Sequence, residues 1–399
     1  MAKRVLLTAG RSQVTLDLAR KFHAGGHEVF VAGTSSLYLS RYSKCVKRAF
    51  VVPSPRFEPK AYVAEIVEIV EQEKIDLLLP VWEDGFVIAQ DKGLFPSYCS
   101  VMVADYPLIQ TLHNKWTFSQ QMKQMGLNCP ETVLLNRPED LHNIPFDPPY
   151  AIKKSYTRAA QDVMRCDSVN DLPALTFDPA NPWIAQKWIE GNRYCTYSVC
   201  HHGRVTASAI YPVDYAIDGY SCINFRPIEH PEITEQITSF VKKSGYHGQI
   251  AFDFIEGPDN RLYTFECNPR ATSGVHLFTK KDHFDRAFFD PTCPKIVPQY
   301  GTKRQILLGM CLYGWRSPKG KADRQAFWDA VAHTPDVVFD EEDPAPFFAQ
   351  IFLLPYYLYK SYQWNVTIPG AFTYDLDFVP SSPAEPHTQS PQGCEFSQS

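Results

Sequence analysis

The chain has no stretch of about 18 consecutive apolar residues, so no membrane-spanning helix is expected. Its N-terminal apolar run is only Val5-Leu6-Leu7, shorter than a secretory leader requires, and no small-residue cleavage site follows. A basic surplus is also missing: 39 Lys and Arg stand against 44 Asp and Glu, and no window is strongly basic. No nucleic-acid partner is therefore expected. The 11 cysteines, an odd number, include no C-x-x-C pair. Several (Cys195, Cys200, Cys267) sit inside apolar, strand-like runs. They read as reduced, buried thiols of a cytoplasmic protein.

Material for a core is ample: hydrophobic residues make up 44% and charged residues 21% of the 399 positions. At roughly 150 residues per domain, that length predicts two to three domains. Over the first 108 residues, short apolar runs at 4–10, 28–33, 49–52, 75–81 and 101–104 alternate with helical patterns such as 15–22 and 61–70. Continuous apolar strands separated by amphipathic helices predict an α/β open parallel sheet covered on both faces. The first strand–helix turn, Thr8-Ala9-Gly10-Arg11-Ser12, has one glycine where a dinucleotide fingerprint needs three. The favoured reading is a Rossmann-like domain that helps shape a substrate site, with dinucleotide binding as the alternative. Glu83 and Asp84 end its fourth strand, where parallel sheets bind ligands, so they are placed against an amine substrate; a helix N-cap at Asp84 competes with that role.

Farther along, a helix is expected over 113–126 and a strand over 132–135, followed by a β-rich segment from 150. A helix over 231–245 precedes a hairpin, 249–256 with 261–267, across Gly257-Pro258-Asp259-Asn260. If Glu256 pairs with Arg261, Asp253 lies opposite Thr264 and Glu266 is its diagonal neighbour, roughly 7–8 Å away. Alternation then places Asp253, Glu266 and Asn268 on one face, and turns Phe252, Phe254, Phe265 and Cys267 into a core. Two carboxylates and an amide carbonyl suit Mg²⁺ (or Mn²⁺) shared with phosphates rather than zinc. The competing reading is a solvated acidic face. His201-His202, with Cys195 and Cys200 nearby, reads as a solvated turn before it reads as a zinc site.

These residues resemble the ATP-grasp superfamily. Glu266-Cys267-Asn268-Pro269-Arg270 matches its Glu-x-Asn-x-Arg strand end. His113-Asn114-Lys115, Gly126 and Cys129-Pro130-Glu131-Thr132 resemble its lysine–helix–glycine–proline segment, and Pro149 to Lys153 its phosphate-binding lysine strand. Residues 155–160 occupy its loop, and Gln186-Lys187-Trp188-Ile189-Glu190-Gly191 its adenine-reading hinge. The resemblance covers about residues 1–280. Within the superfamily, residues 19–27, Ser273 and Asp343-Pro344-Ala345-Pro346-Phe347 resemble the branch that forms mycosporine-glycine. One position departs from the pattern: where the family often has a ribose-binding Glu, this chain has Arg193, so Glu190 is the alternative ribose ligand.

The resemblance implies an ATP-grasp fold with an N-terminal Rossmann-like domain (1–108), a core (109–280, with a lid at 132–192 and a metal-binding part at 193–280) and an extension (281–379). Residues 380–399, rich in Ser, Pro and Gln, are expected to be disordered. It implies an ATP- and Mg²⁺-dependent ligase that phosphorylates a small carboxylate or enolate and couples it to an amine or amino acid, with ADP and phosphate released. Lys115, Lys153, Gln186, Lys187, Ile189, Glu190 and Arg193 would bind nucleotide. Asp253, Glu266 and Asn268 would bind metal, Arg270 would be catalytic, and Glu83, Ser273, Gly274 and His276 would meet substrate. A homodimer is the family-level expectation, and a non-catalytic ATP-binding protein is the alternative that Arg193 raises. The aromatic segment 347–364 reads as core or dimer face before membrane surface, having one basic residue, Lys360.

Overall fold

The computed structural model describes residues 2–156, 163–168, 175–217, 221–317 and 321–378. The expected loop at 155–160 lies mostly, and the expected tail at 380–399 wholly, outside the described residues.

The first unit alternates strand and helix. Strand β1 (Arg4–Leu7) enters helix α1 (Gln13–Ala24), followed by β2 (Glu28–Gly33), β3 (Arg48–Val51), α2 (Pro59–Gln72), β4 (Leu77–Leu79), α3 (Asp84–Gln90) and β5 (Ser100–Val101). The strands form one parallel sheet, in the order β3-β2-β1-β4-β5. Val5, Leu6 and Leu7 are fully buried because helices cover both faces. Ser12 caps α1, its hydroxyl accepting from the Val14 N–H, so the first turn of that helix faces outward from the sheet's carboxyl edge.

The expected single helix at 113–126 is instead the end of α4 (Tyr106–His113) and all of α5 (Lys115–Gln124). Asn114 separates them: its ψ of 117° breaks the helix, and its Oδ1 accepts from the Trp116 and Thr117 N–H groups at 2.9 and 3.1 Å. Lys115 therefore opens a helix from a capped, fixed position.

An antiparallel sheet follows, made of β6 (Thr132–Leu135), β7 (Tyr150–Lys154), β8 (Val163–Cys166) and β9 (Trp183–Lys187) in the order β6-β9-β7-β8. Next come β10 (Asn192–His201), β11 (Arg204–Pro212), the short β12 (Ala216–Ile217), β13 (Ser221–Cys222) and β14 (Asn224–Phe225), then α6 (Pro231–Ser244), β15 (Gly248–Glu256) and β16 (Leu262–Asn268). Strands β11-β10-β15-β16 make a second antiparallel sheet. Gly191, between the two sheets, has no room for a side chain: a Cβ there would lie 1.9 Å from the Glu256 carbonyl oxygen.

The β15–β16 register differs from the expected one. The turn is closed by the Gly257 N–H donating to the Arg261 carbonyl at 2.9 Å, with Asn260 left-handed, so Glu256 pairs with Leu262 rather than Arg261. A bulge at Phe265 then adds a second one-residue shift, and Asp253 pairs directly with Glu266. Two single shifts restore the parity, so Asp253, Glu266 and Asn268 do share a face. Phe265, expected in the core, joins them on that face because the bulge points adjacent side chains the same way.

The C-terminal elements are α7 (Arg286–Phe289), β17 (Arg304–Gln305), α8 (Leu307–Leu312), α9 (Lys321–His333), α10 (Ala345–Trp364) and α11 (Ile368–Ala371). Helix α10 carries the aromatic segment and runs through Pro355. It buries Pro346, Ala349, Leu353 and Tyr357 and exposes Phe348, Ile351, Phe352, Tyr359 and Tyr362. No helix of the described residues is long and apolar enough to cross a membrane. Two buried ion pairs fasten this region to the first unit: Arg20 Nε to Asp343 Oδ2 at 2.9 Å, and Arg11 Nη1 to Asp375 Oδ1 at 2.6 Å.

Candidate functional site

A cavity of about 430 Å³ lies where the three sheets and the start of α1 meet. Its charge is lopsided. Lys115, Lys153, Lys187, Arg193 and Arg270 line it, whereas Asp253 and Glu266 are its only carboxylates among the described residues. Five cations around two acids suit a polyanion.

The acidic pair sits at one cross-strand rung, opposite Cys195 on β10. Burial, then the neighbouring Glu266, pushes the Asp253 carboxyl up to about 6. Burial opposes ionisation of Glu266 too, but Lys115 and Lys153 outweigh it and hold its carboxyl below the usual range. Burial and the charge of its neighbour thus make Asp253 costly to ionise, and a divalent cation between the two carboxylates would relieve it. Asn268 Nδ2 lies 3.4 Å from Asp253 Oδ2, while its Oδ1 accepts from Arg270 Nη2 at 3.1 Å. The described residues hold no group of three or more His, Cys, Asp or Glu able to bind a metal. Two carboxylates and an amide oxygen fit a hard cation that completes its shell with ligand oxygens.

The lysines are placed by separate elements. Lys115 Nζ reaches Glu266 Oε1 at 4.0 Å from the capped start of α5. Lys153, on β7, donates to Gln186 Oε1 at 2.7 Å, and Gln186 Nε2 donates on to Thr132 Oγ1 at 3.0 Å. Burial, then Lys115, lowers Lys153 to about 8, a tension that a bound phosphate would discharge. The Phe265 ring stands 5.9 Å from Lys153 Nζ and 5.7 Å from the Arg193 guanidinium carbon. Arg270 lies flat on Trp82, 3.9 Å from ring centre to guanidinium carbon.

Of the residues singled out in the sequence, Lys115, Lys153, Gln186, Lys187, Ile189, Arg193, Asp253, Glu266, Asn268, Arg270, Ser273 and His276 converge on this cavity. Three do not. Glu190 is exposed and pairs with Arg165 Nη1 at 3.0 Å on the outer side of the hinge, because alternation after Ile189 turns it away. Gly274 packs against aromatic side chains: a Cβ there would lie 2.5 Å from Tyr197 Cβ. Glu83 is 1% exposed, off the cavity wall; it accepts from the Phe378 N–H at 3.0 Å and lies 3.8 Å from Arg270 Nε. It therefore lies behind Arg270 and off the cavity wall. Sequence reasoning missed Trp82, whose neighbour Glu83 drew attention, and Phe265, which only the bulge exposes. The histidines of the β10–β11 turn stack with His247 (His202 ring 4.2 Å away, 4° between planes) and form no metal-binding group.

No family model matches the chain. The chain is 21% identical over 267 residues to the carbamoyl phosphate synthase large chain of a Thermoanaerobacter species, covering 62% of this chain and 24% of that protein. It thus spans about a quarter of the curated relatives it matches. Among solved structures it is similar to N5-carboxyaminoimidazole synthetase from Staphylococcus aureus (TM-score 0.58, 13% identity, 75% of this chain and 80% of that one). It is also similar to an L-amino acid ligase from Bacillus licheniformis (0.55, 15%, 72% and 74%). A third likeness is the biotin carboxylase domain of Hydrogenobacter thermophilus 2-oxoglutarate carboxylase, in complex with MgADP, ADP and bicarbonate (0.57, 14%, 74% and 71%).

Proposed function

We propose that this chain, whose fold is the ATP-grasp fold with an N-terminal α/β domain, is an ATP- and Mg²⁺-dependent ligase. In this reading it phosphorylates a small carboxylate or enolate with ATP, couples it to an amine or amino acid, and releases ADP and phosphate. One observation carries the reading: the Asp253–Glu266 rung faces Lys115, Lys153 and Arg270 across a single cavity. The similar structures support it, one being named an L-amino acid ligase and another holding MgADP beside bicarbonate.

Phosphoryl transfer asks the protein for position and neutralised charge more than for covalent chemistry. Asp253, Glu266 and Asn268 would hold Mg²⁺, which when bound offsets charge on the β- and γ-phosphates. Lys153, fixed by Gln186, and Lys115, fixed by the α5 cap, take the α- and β-phosphates. The strand end at Gln186 and Lys187, with Ile189, offers its backbone and side chains to adenine, and Arg193 is assigned to the nucleotide by its place on the wall. Arg270, held flat by Trp82 and backed by Glu83, either steadies the transferring phosphoryl group or grips the acceptor carboxylate with both guanidinium arms. Ser273 and His276 border the acceptor. Boundaries near 108 and 280 separate the α/β domain, the core and the extension in this proposal.

The test is an ADP-release screen of amino acids crossed with small carboxylic acids and cyclic enolones. The likeness to the mycosporine-glycine-forming branch makes glycine with a cyclic enolone the first pair. The expected result is ADP and phosphate only when both substrates are present. AMP with pyrophosphate would mean adenylation instead. Thermal stabilisation by nucleotide with no ADP across the whole panel would mean a binding protein without turnover.

A further inference from the structure

Beyond Arg270 the cavity is walled by Thr272, Ser273 and His276, in a turn of 3-10 helix over Ser273–Leu277, and by the first turn of α1. His276 is 1% exposed. Its Nδ1 lies 2.7 Å from Asp17 Oδ2, one turn and a half into α1, and no described residue comes within hydrogen-bond distance of its Nε2. The other Asp17 oxygen accepts from Lys21 Nζ. Although burial resists it, Lys21 and the hydrogen bond from His276 keep the Asp17 carboxyl well below the usual carboxylate range. An ionised Asp17 can only accept, so in the neutral ring Nδ1 carries the proton; Nε2, buried and without a hydrogen-bond partner among the described residues, keeps its lone pair in a side chain that lines the cavity. The Phe225 ring, 5.8 Å away, covers one side of the imidazole. The other titratable groups packed on this turn are Lys21 from α1, Tyr197 from β10 and Tyr211 from β11.

We propose that His276 Nε2 is the proton acceptor for the amine in the second half of the ligation, with Asp17 as the residue that positions it. This rests on the ligase reading above. An amine arrives as R–NH₃⁺, whose nitrogen has no lone pair to offer. One proton passes to Nε2, and the freed pair attacks the carbonyl (or enol) carbon of the phosphorylated acceptor. The C–N bond forms, the C–O bond to phosphate breaks, and the phosphate leaves with that electron pair. The second nitrogen proton goes to the departing phosphate, and His276 later returns its own to solvent. The first half of the reaction, phosphate transfer to the acceptor, needs no such base.

That asymmetry gives the test. With a carboxylate acceptor, hydroxylamine, already a free base at neutral pH, traps the acyl phosphate as a hydroxamate. Asp17→Asn, which is not on the cavity wall, is expected to keep hydroxamate formation within a few-fold of wild type while coupling to the amino acid falls by about 100-fold or more, and His276→Gln is expected to lose amino-acid coupling at least as far. Equal losses in both assays, or unimpaired amino-acid coupling, would overturn the proposal. Independently of any substrate, a nitrogen-15 to proton correlation spectrum of the full chain is expected to show neutral His276 protonated at Nδ1. Protonation at Nε2 would overturn it as well. Wild-type protein that yields neither hydroxamate nor product with any acceptor would instead defeat the ligase reading, and the base assignment with it.

Discussion

At the scale of single residues, Asp253 shows how a site holds itself against its own stability. With its carboxyl raised to about 6 by burial and Glu266, Asp253 is still mostly ionised at pH 7, but that ionisation costs more in the folded chain than in the unfolded one. A raised carboxyl favours folding more as pH falls through 6 toward the unfolded value near 4. Asp253→Asn removes that penalty and one proposed metal ligand together. Without Mg²⁺ and nucleotide, the variant is expected to melt a few degrees above wild type at pH 7. With both present the order reverses, and ADP release falls by about 100-fold or more. Scanning fluorimetry under the two conditions, with an ADP assay, checks both signs.

Asp253, Glu266 and Asn268 were legible in the sequence because their face depends only on parity, and two one-residue shifts leave parity unchanged. Phe265 was not legible, because a bulge is set by tertiary packing and leaves no mark in alternation. Glu83, Glu190 and Gly274 look functional by position along the chain, but their directions are settled by groups far away: Phe378, Arg165 and Tyr197.

At the scale of elements, the parallel sheet could be read strand by strand, since each strand is a continuous apolar run. The C-terminal helices could not, because what holds them is long-range. Arg20 on α1 bonds Asp343 and also donates to the Val338 and Asp343 carbonyls at 3.0 and 2.9 Å, all buried. Arg20→Ala leaves that carboxylate buried without its counter-charge, with the Ser43 hydroxyl at 2.7 Å and the Lys44 N–H at 2.9 Å still donating to it, and an expected loss of about 3–5 kcal/mol is measurable as a lowered denaturant midpoint. The β10–β11 turn makes a second prediction. Burial, then His202 and His201, lowers His247 to about 3. An unfolded histidine takes its proton near 6.5 while the folded one waits until about 3, so acid favours the unfolded chain. Stability is full above pH 6.5 and declines as pH falls toward 3, by no more than about 1.4 kcal/mol per pH unit. In His247→Phe that slope is expected to flatten in melts recorded from pH 7 to 4.

At the scale of the whole molecule, the last described residues lie against the first unit. Trp82 Nε1 donates to Asp377 Oδ1 at 3.1 Å, and the Phe378 ring stacks on Phe86 at 4.7 Å. The Phe378 N–H holds Glu83, and Asp375 holds Arg11. Trp82 and Glu83 are two of the supports of Arg270, so a chain ending at Phe372 is expected to bind nucleotide within about threefold of wild type yet lose most turnover. Nucleotide titration and the ADP assay on that truncation separate the two effects.

This closure has a bearing on synthesis at the ribosome. The cavity lysines Lys115 and Lys153 and the acidic rung are all translated by residue 268, but Asp377 and Phe378, which hold the two side chains behind the Arg270 guanidinium, follow some hundred residues later. In the ligase reading proposed above, a nascent chain that has passed residue 268 but not residue 378 is expected to hold nucleotide without consuming it.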